Sequence, residues 1–177
     1  MMSVITTYTG KHFDPTEPKA ELIDFRDIAH ALPHICRGNG QVSTFFSVGQ
    51  HCLNCAKEAL ARGFSKRLAL ACLVHDASEA YMSDLPRPLK QVWPEYRKYE
   101  DRLLSVIYEK FLGSDLTEEE KVLLKRIDDD FLAHDLFNLL NEDVGELPKI
   151  SIDFSYDFRP FFEVEKEMLE LFRELNS

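Results

Sequence analysis

Reactive side chains concentrate in one short run of the chain. His75-Asp76-Ala77-Ser78-Glu79 brings together an imidazole and two carboxylates, and Asp84 adds another carboxylate in Ser83-Asp84-Leu85-Pro86-Arg87-Pro88. The spacing predicts a helix-and-turn in which His75 and Glu79 share a face, with Asp76 beside His75. Residues 68–74 are apolar almost throughout and call for burial, which places His75 and Asp76 at the edge of a core. Charged groups there need a partner or a metal, because an unpaired buried charge is costly.

Two more donors flank this run. His51 stands upstream in Gln50-His51-Cys52, and Asp128 downstream in Ile127-Asp128-Asp129-Asp130. The order His, His-Asp, Asp supplies two neutral nitrogens and two carboxylate oxygens. Such a set binds a divalent cation and leaves positions open for water and substrate. Asp128 is preferred to its neighbours because it shares a helix face with Leu124, Phe131, Leu132 and Asp135 and so looks inward, whereas Asp129 and Asp130 suit a solvated face. His30 and His34 have the spacing of a helical ligand pair, but Pro33 between them bends or ends the helix, so they read as structural or as support just behind the ligands. His12 and His134 show no partner pattern.

These motifs resemble the HD-domain metal-dependent phosphohydrolases, in particular the bacterial 5′-nucleotidase-like branch. Its core reads His-Asp-Ala-Ser-Glu and, a few residues on, Asp-Leu-Pro-x-Pro. Asp27-Ile28-Ala29-His30-Ala31-Leu32 through Ile35-Cys36-Arg37-Gly38-Asn39-Gly40 is similar to that family's phosphate-contacting segment, residues 47–51 to the stretch bearing the first ligand, and Ile127-Asp128 to the last. The resemblance implies an all-α HD-domain helical bundle with little or no β structure. It implies one divalent ion (Mn, Co, Mg, Zn or Fe) on His51, His75, Asp76 and Asp128. Dinuclear members of this fold add histidines between the His-Asp pair and the final Asp, and this chain has none from Ala77 to Ala133.

The implied reaction is release of phosphate from a 5′-(deoxy)nucleoside monophosphate. Arg37 would offer a planar fork to phosphate oxygens, and Glu79 would orient water or exchange a proton. Asp84 would accept a sugar hydroxyl or act on the leaving oxygen, with Arg87 and Lys90 forming a cationic rim. One alternative is a deoxynucleoside triphosphate triphosphohydrolase of the same fold, with Arg87, Lys90 and Lys125 as added cations. Another is a non-catalytic nucleotide-sensing or interaction module. Gly38 departs from the family, whose members carry an aromatic after the arginine to pack on the nucleoside, so weak base discrimination is expected.

The elements that must hold these residues read as helix after helix. At 177 residues the chain suits one domain spanning 1–177. Ser65 is placed to cap the helix leading to His75, and Thr117 with Glu120 forms a capping box ahead of Asp128. Gly63 and Gly113 sit where helices close. Residues 143–159 alternate apolar and polar like a strand, but with no clear partner they are expected to wrap the surface in extended form. The net charge of −10 argues against a nucleic-acid polymer as partner. No secretory signal or membrane span is evident, and the four cysteines suit a reducing compartment, so a cytoplasmic protein is expected. Cys52-Leu53-Asn54-Cys55 lacks a second pair and lies inside a helical segment, so it reads as packing. A homodimer is compatible with the amphipathic C-terminal helix.

Overall fold

The computed structural model describes residues 4–177, apart from the side chain of Arg87. Helices dominate: α1 (Phe25–Ala31), α2 (Val48–Ala61), α3 (Lys66–Val74), α4 (Glu79–Met82), α5 (Arg87–Val92), α6 (Pro94–Leu112), α7 (Glu118–Leu140) and α8 (Phe161–Leu175). Among the described residues the only sheet is an antiparallel ribbon of β1 (Ile5–Thr6) and β2 (His12–Phe13). The all-α class expected from the sequence is what the chain adopts.

The helix ends follow local chemistry. Asp24 caps α1 by accepting from the Arg26 amide, and Ser65 caps α3 by accepting from the Leu68 amide. Capping boxes open α2 (Ser47 with Gln50) and α7 (Thr117 with Glu120). Gly63 and Gly113 take left-handed conformations after α2 and α6.

α3 is the central element. Every residue from Leu68 to Val74 is buried, and α2, α6, α7 and α8 all pack on it. A helix apolar all round must be enclosed in this way. The surrounding helices bury single stripes, such as Leu103 and Ile107 on α6, Ile127 and Phe131 on α7, and Val164 and Met168 on α8. Fully burying each such side chain contributes about 1.5–3 kcal/mol.

Residues 143–159 form no strand. They run extended over the bundle, with Ile150, Ile152 and Phe154 packed on the core. Glu58 of α2 accepts the amides of Ser151 (2.9 Å) and Ile152 (3.1 Å), while His134 bonds to the Pro148 carbonyl at 2.8 Å. Among the described residues no helix is long and apolar enough to cross a membrane.

Candidate metal centre

Two connections bring distant residues to one point. Cys36 and Ser47 form an isolated antiparallel bridge, with Arg37 N donating to Phe46 O (2.8 Å) and Val48 N to Ile35 O (2.9 Å). The bridge ties Arg37 to the start of α2, whose first turn carries His51. Gly49 lets that turn press on Pro33, since a Cβ there would lie 3.0 Å from the proline nitrogen. His51 is fully buried as a result.

The His-Asp run is wound more tightly than a continuous α-helix. α3 ends at Val74, and the next amides bond three residues back: Ala77 to Val74, Glu79 to Asp76, Ala80 to Ala77. In such winding residues i and i+3 eclipse. The expected pairing of His75 with Glu79 on one α-helical face is thereby replaced by Asp76 with Glu79. Crowded by burial and by the Asp76 and Asp84 carboxylates, the Glu79 carboxyl is pushed up to about 9. Its Oε2 has no hydrogen-bond partner among the described residues.

The four residues expected as ligands converge. His51 Nε2 lies 3.2 Å from His75 Nε2 and 3.2 Å from Asp128 Oδ1. His75 Nε2 lies 3.7 Å from Asp128 Oδ1 and 3.4 Å from Asp76 Oδ2, with Asp76 Oδ2 3.9 Å from His51 Nε2. Nitrogen and oxygen donors bound to one ion at about 2.0–2.2 Å can be no more than about 4.2–4.3 Å apart, and every one of these separations is shorter. His75 Nδ1 bonds to the Cys72 carbonyl at 2.7 Å, which turns Nε2 toward the cluster.

Two ring nitrogens facing each other beside two carboxylates need positive charge between them. Burial disfavours a charged His75, yet Asp76 and Asp128 override it and hold the ring protonated well above its usual range. Burial likewise opposes the Asp128 charge, and the two imidazoles still drive its carboxyl far below the usual range. A divalent ion would satisfy the same demand, so the donor set fits one. Buried His51, Cys55 and His75, with Asp76, could hold a metal ion.

Arg37 sits beside this cluster. Its Nε and Nη2 donate to Asp135 Oδ2 at 3.2 and 3.0 Å, and Nη1 to Asp76 Oδ2 at 3.4 Å. Three of its five N–H groups are thus engaged, leaving two for an oxyanion. Tyr156, on the extended 143–159 segment, donates to Asp135 Oδ1 at 2.9 Å. Asp135 and Tyr156 do not stand out in the sequence. Asp135 follows Asp128 by two helical turns on the same inward face, a pattern that could have marked it.

A cavity of about 680 Å³ opens on the cluster, its lining including the charged Arg37, Asp76, Glu79, Asp84 and Asp128 and the aliphatic Val42, Leu132, Leu136 and Leu139. Asp84 follows Ser83, whose φ of 62° is one that side chains rarely adopt, and Tyr96 anchors this turn by donating to Ser83 O at 2.6 Å. Lys90 lines the cavity but is held by Asp84 (3.1 Å) and Glu100 (2.7 Å). Arg97, not foreseen, also lines it. Lys125 is not in that lining: it borders the α7 surface with Lys121 and Val122, pairs with Asp129 and comes within 3.9 Å of Asp128 Oδ2. Asp130 pairs with Arg62 at 2.8 Å. Arg87 opens α5, and its side chain lies outside the described part of the structure. Gly38 has a left-handed φ of 58°, and a Cβ there would press on Val42 Cγ1 at 3.2 Å. His30 pairs with Glu165 and stacks on Tyr8, and His34 bonds to the His30 carbonyl, so their ring nitrogens Nδ1 are engaged away from the cluster.

No family model matches the chain. It is 40% identical over 110 residues to the uncharacterized protein YfdR of Escherichia coli K12, an alignment covering 62% of this chain and 59% of YfdR. It is 34% identical over 109 residues to an uncharacterized protein of Rhodobacter capsulatus, covering 58% of this chain and 55% of that one. The alignments thus span less than two thirds of either relative.

Proposed function

We propose that this chain is a metal-dependent phosphohydrolase of the HD-domain type acting on a nucleotide, with a 5′-nucleoside monophosphate as substrate. The observation that carries this reading is the convergence of two imidazole nitrogens and two carboxylates on one point, beside an arginine with unused donors, at a cavity lined by both charged and aliphatic side chains. A divalent ion bound by His51, His75, Asp76 and Asp128 would supply Lewis acidity and a bound water of lowered pKa.

The chain's own groups do the rest. Phosphoryl transfer asks chiefly for placement and charge neutralisation. Arg37, fixed by Asp135 and Asp76, offers its two remaining N–H groups to phosphate oxygens. Glu79, with Oε2 unpartnered among the described residues, exchanges a proton with the attacking water or the leaving oxygen. Asp84 sits where it can accept a sugar hydroxyl, its charge balanced by Lys90. The nucleoside lies along Val42, Leu132, Leu136 and Leu139, aliphatic side chains that bury a base without reading its edge.

The test is phosphate release from nucleoside mono-, di- and triphosphates with manganese, cobalt, magnesium, zinc or iron(II), the products being resolved chromatographically. Inorganic phosphate from 5′-monophosphates, abolished by chelation, is expected. Tripolyphosphate from deoxynucleoside triphosphates would replace this reading with the triphosphohydrolase. Nucleotide binding with no turnover in any metal would replace it with a sensing module.

A further inference from the structure

We propose that Cys55 is an additional donor to the ion held by His51, His75, Asp76 and Asp128, making a mixed nitrogen, oxygen and sulfur site that selects a thiophilic transition ion over magnesium. The proposal rests on the metal-centre reading above and extends it to the class of metal.

Cys55 lies one turn beyond His51 on α2, a spacing that puts both side chains on one face. Its Sγ is 3.6 Å from His51 Nε2, the nitrogen that faces the cluster. Ligand atoms of His51, Cys55 and His75 all lie within 4.8 Å of one another. A thiolate binds zinc at about 2.3 Å and an imidazole at about 2.0–2.1 Å, so at the angles of about 90–120° between neighbouring donors of a five-coordinate site the two lie about 3.1–3.8 Å apart. The observed separation agrees.

The neighbouring thiols show that this placement is not shared by every buried cysteine. Cys52 Sγ approaches His75 Nδ1 at 3.9 Å, but that nitrogen is turned away from the cluster and bonded to the Cys72 carbonyl. Ligand atoms of Cys52, His75 and Asp76 also lie within 4.8 Å of one another, so Cys52 is the competing thiol and its variant the comparison. Cys55 approaches the cluster-facing nitrogen of His51 and is buried, outside the lining of the cavity that Asp76 and Asp128 border.

On binding, the Cys55 S–H bond breaks, a sulfur lone pair forms the S–metal bond, and the proton leaves to bulk water; no electron is transferred. Zinc, cobalt and iron(II) gain from a thiolate, whereas magnesium prefers oxygen ligands and keeps its waters.

The experiment loads the full chain with cobalt(II) and records its absorption. Expected are visible ligand-field bands together with a near-ultraviolet thiolate-to-cobalt charge-transfer band. Cys55→Ser and Cys55→Ala should lose the charge-transfer band and keep the ligand-field bands, while Cys52→Ser keeps both. Zinc affinity should fall at least about tenfold in Cys55→Ser, the lower end of what even outer-shell changes cost, with magnesium affinity unchanged. Ligand-field bands without charge transfer in the wild-type protein would overturn the Cys55 assignment alone. A charge-transfer band surviving in both Cys55 variants would do the same. Absence of any cobalt spectrum would overturn the metal centre as well.

Discussion

Asp135→Asn isolates the charge that holds Arg37 against the cluster. The side chain keeps its size, and its oxygen can still face Arg37 while its amide faces Tyr156, whose hydroxyl can accept instead of donate. What is lost is the negative charge behind three hydrogen bonds: two from Arg37, at 3.2 and 3.0 Å, and one from Tyr156, at 2.9 Å. Hydrogen bonds to charged groups contribute about 1.5–3 kcal/mol and neutral ones about 0.5–1.5, so each loses about 1 kcal/mol. Because Arg37's two bonds share one oxygen, the total is about 2–3 kcal/mol. The Asp135 side chain is only 7% exposed, so solvent screens little of this. For a chain of this length that corresponds to a fall in Tm of about 4–12 °C. Circular dichroism melts of the metal-free variant test it. In the same variant Arg37 leans on Asp76 alone and competes with the ion for that carboxylate, so metal affinity should fall by about tenfold or more. A Tm within about 1 °C of wild type, combined with unchanged metal affinity, would refute the role given to Asp135.

Glu79→Ala should retain metal and substrate yet lose about a hundredfold or more in turnover, the scale of a positioned acid–base group; wild-type turnover would rule out its role. Asp76→Ala should purify without stoichiometric metal, which elemental analysis checks. Arg37→Ala should lower kcat/KM by a similar factor for every base if the arginine holds the phosphate, and a loss that varies with the base would contradict this. Glu58 ties the extended 143–159 segment to α2; burial disfavours its charge, but Arg62 and the Ser151 and Ile152 amides outweigh that and hold its carboxyl below the usual range. A depressed folded pKa means stability present above the unfolded value of about 4.3 and lost as pH falls through the folded one. Urea midpoints for Glu58→Gln should therefore show a shallower acid fall below about pH 5 than wild type.

What the sequence determined by itself is mainly what depends on near neighbours. Asp24, Ser47, Ser65 and Thr117 cap helices because each hydroxyl or carboxylate reaches an amide two or three residues on. The all-apolar residues 68–74 could only become a buried central helix, and His75 at its end could only emerge at the rim of a core. The inward face of α7 likewise singled out Asp128 over the exposed Asp129, because helical periodicity is a property of the chain alone, whereas Asp130, expected on a solvated face, is part-buried against Arg62 at the end of α2. Tertiary structure decided the rest. The turn after α3 winds at i+3 and pairs Asp76 with Glu79, a choice set by packing that alternating residue types do not encode. Arg37 meets Asp135 across 98 positions of sequence, and Tyr156 reaches the same carboxylate from a segment whose alternation looks like a strand with no partner. Lys90 and Lys125 read alike as loose cations, yet one lines the cavity tied to Asp84 and Glu100, and the other lies outside that lining, paired with Asp129 and within 3.9 Å of Asp128. Such pairings depend on which helix faces meet and at what depth, and that information lies in the joint packing of α2, α3 and α7 rather than in any stretch of the chain.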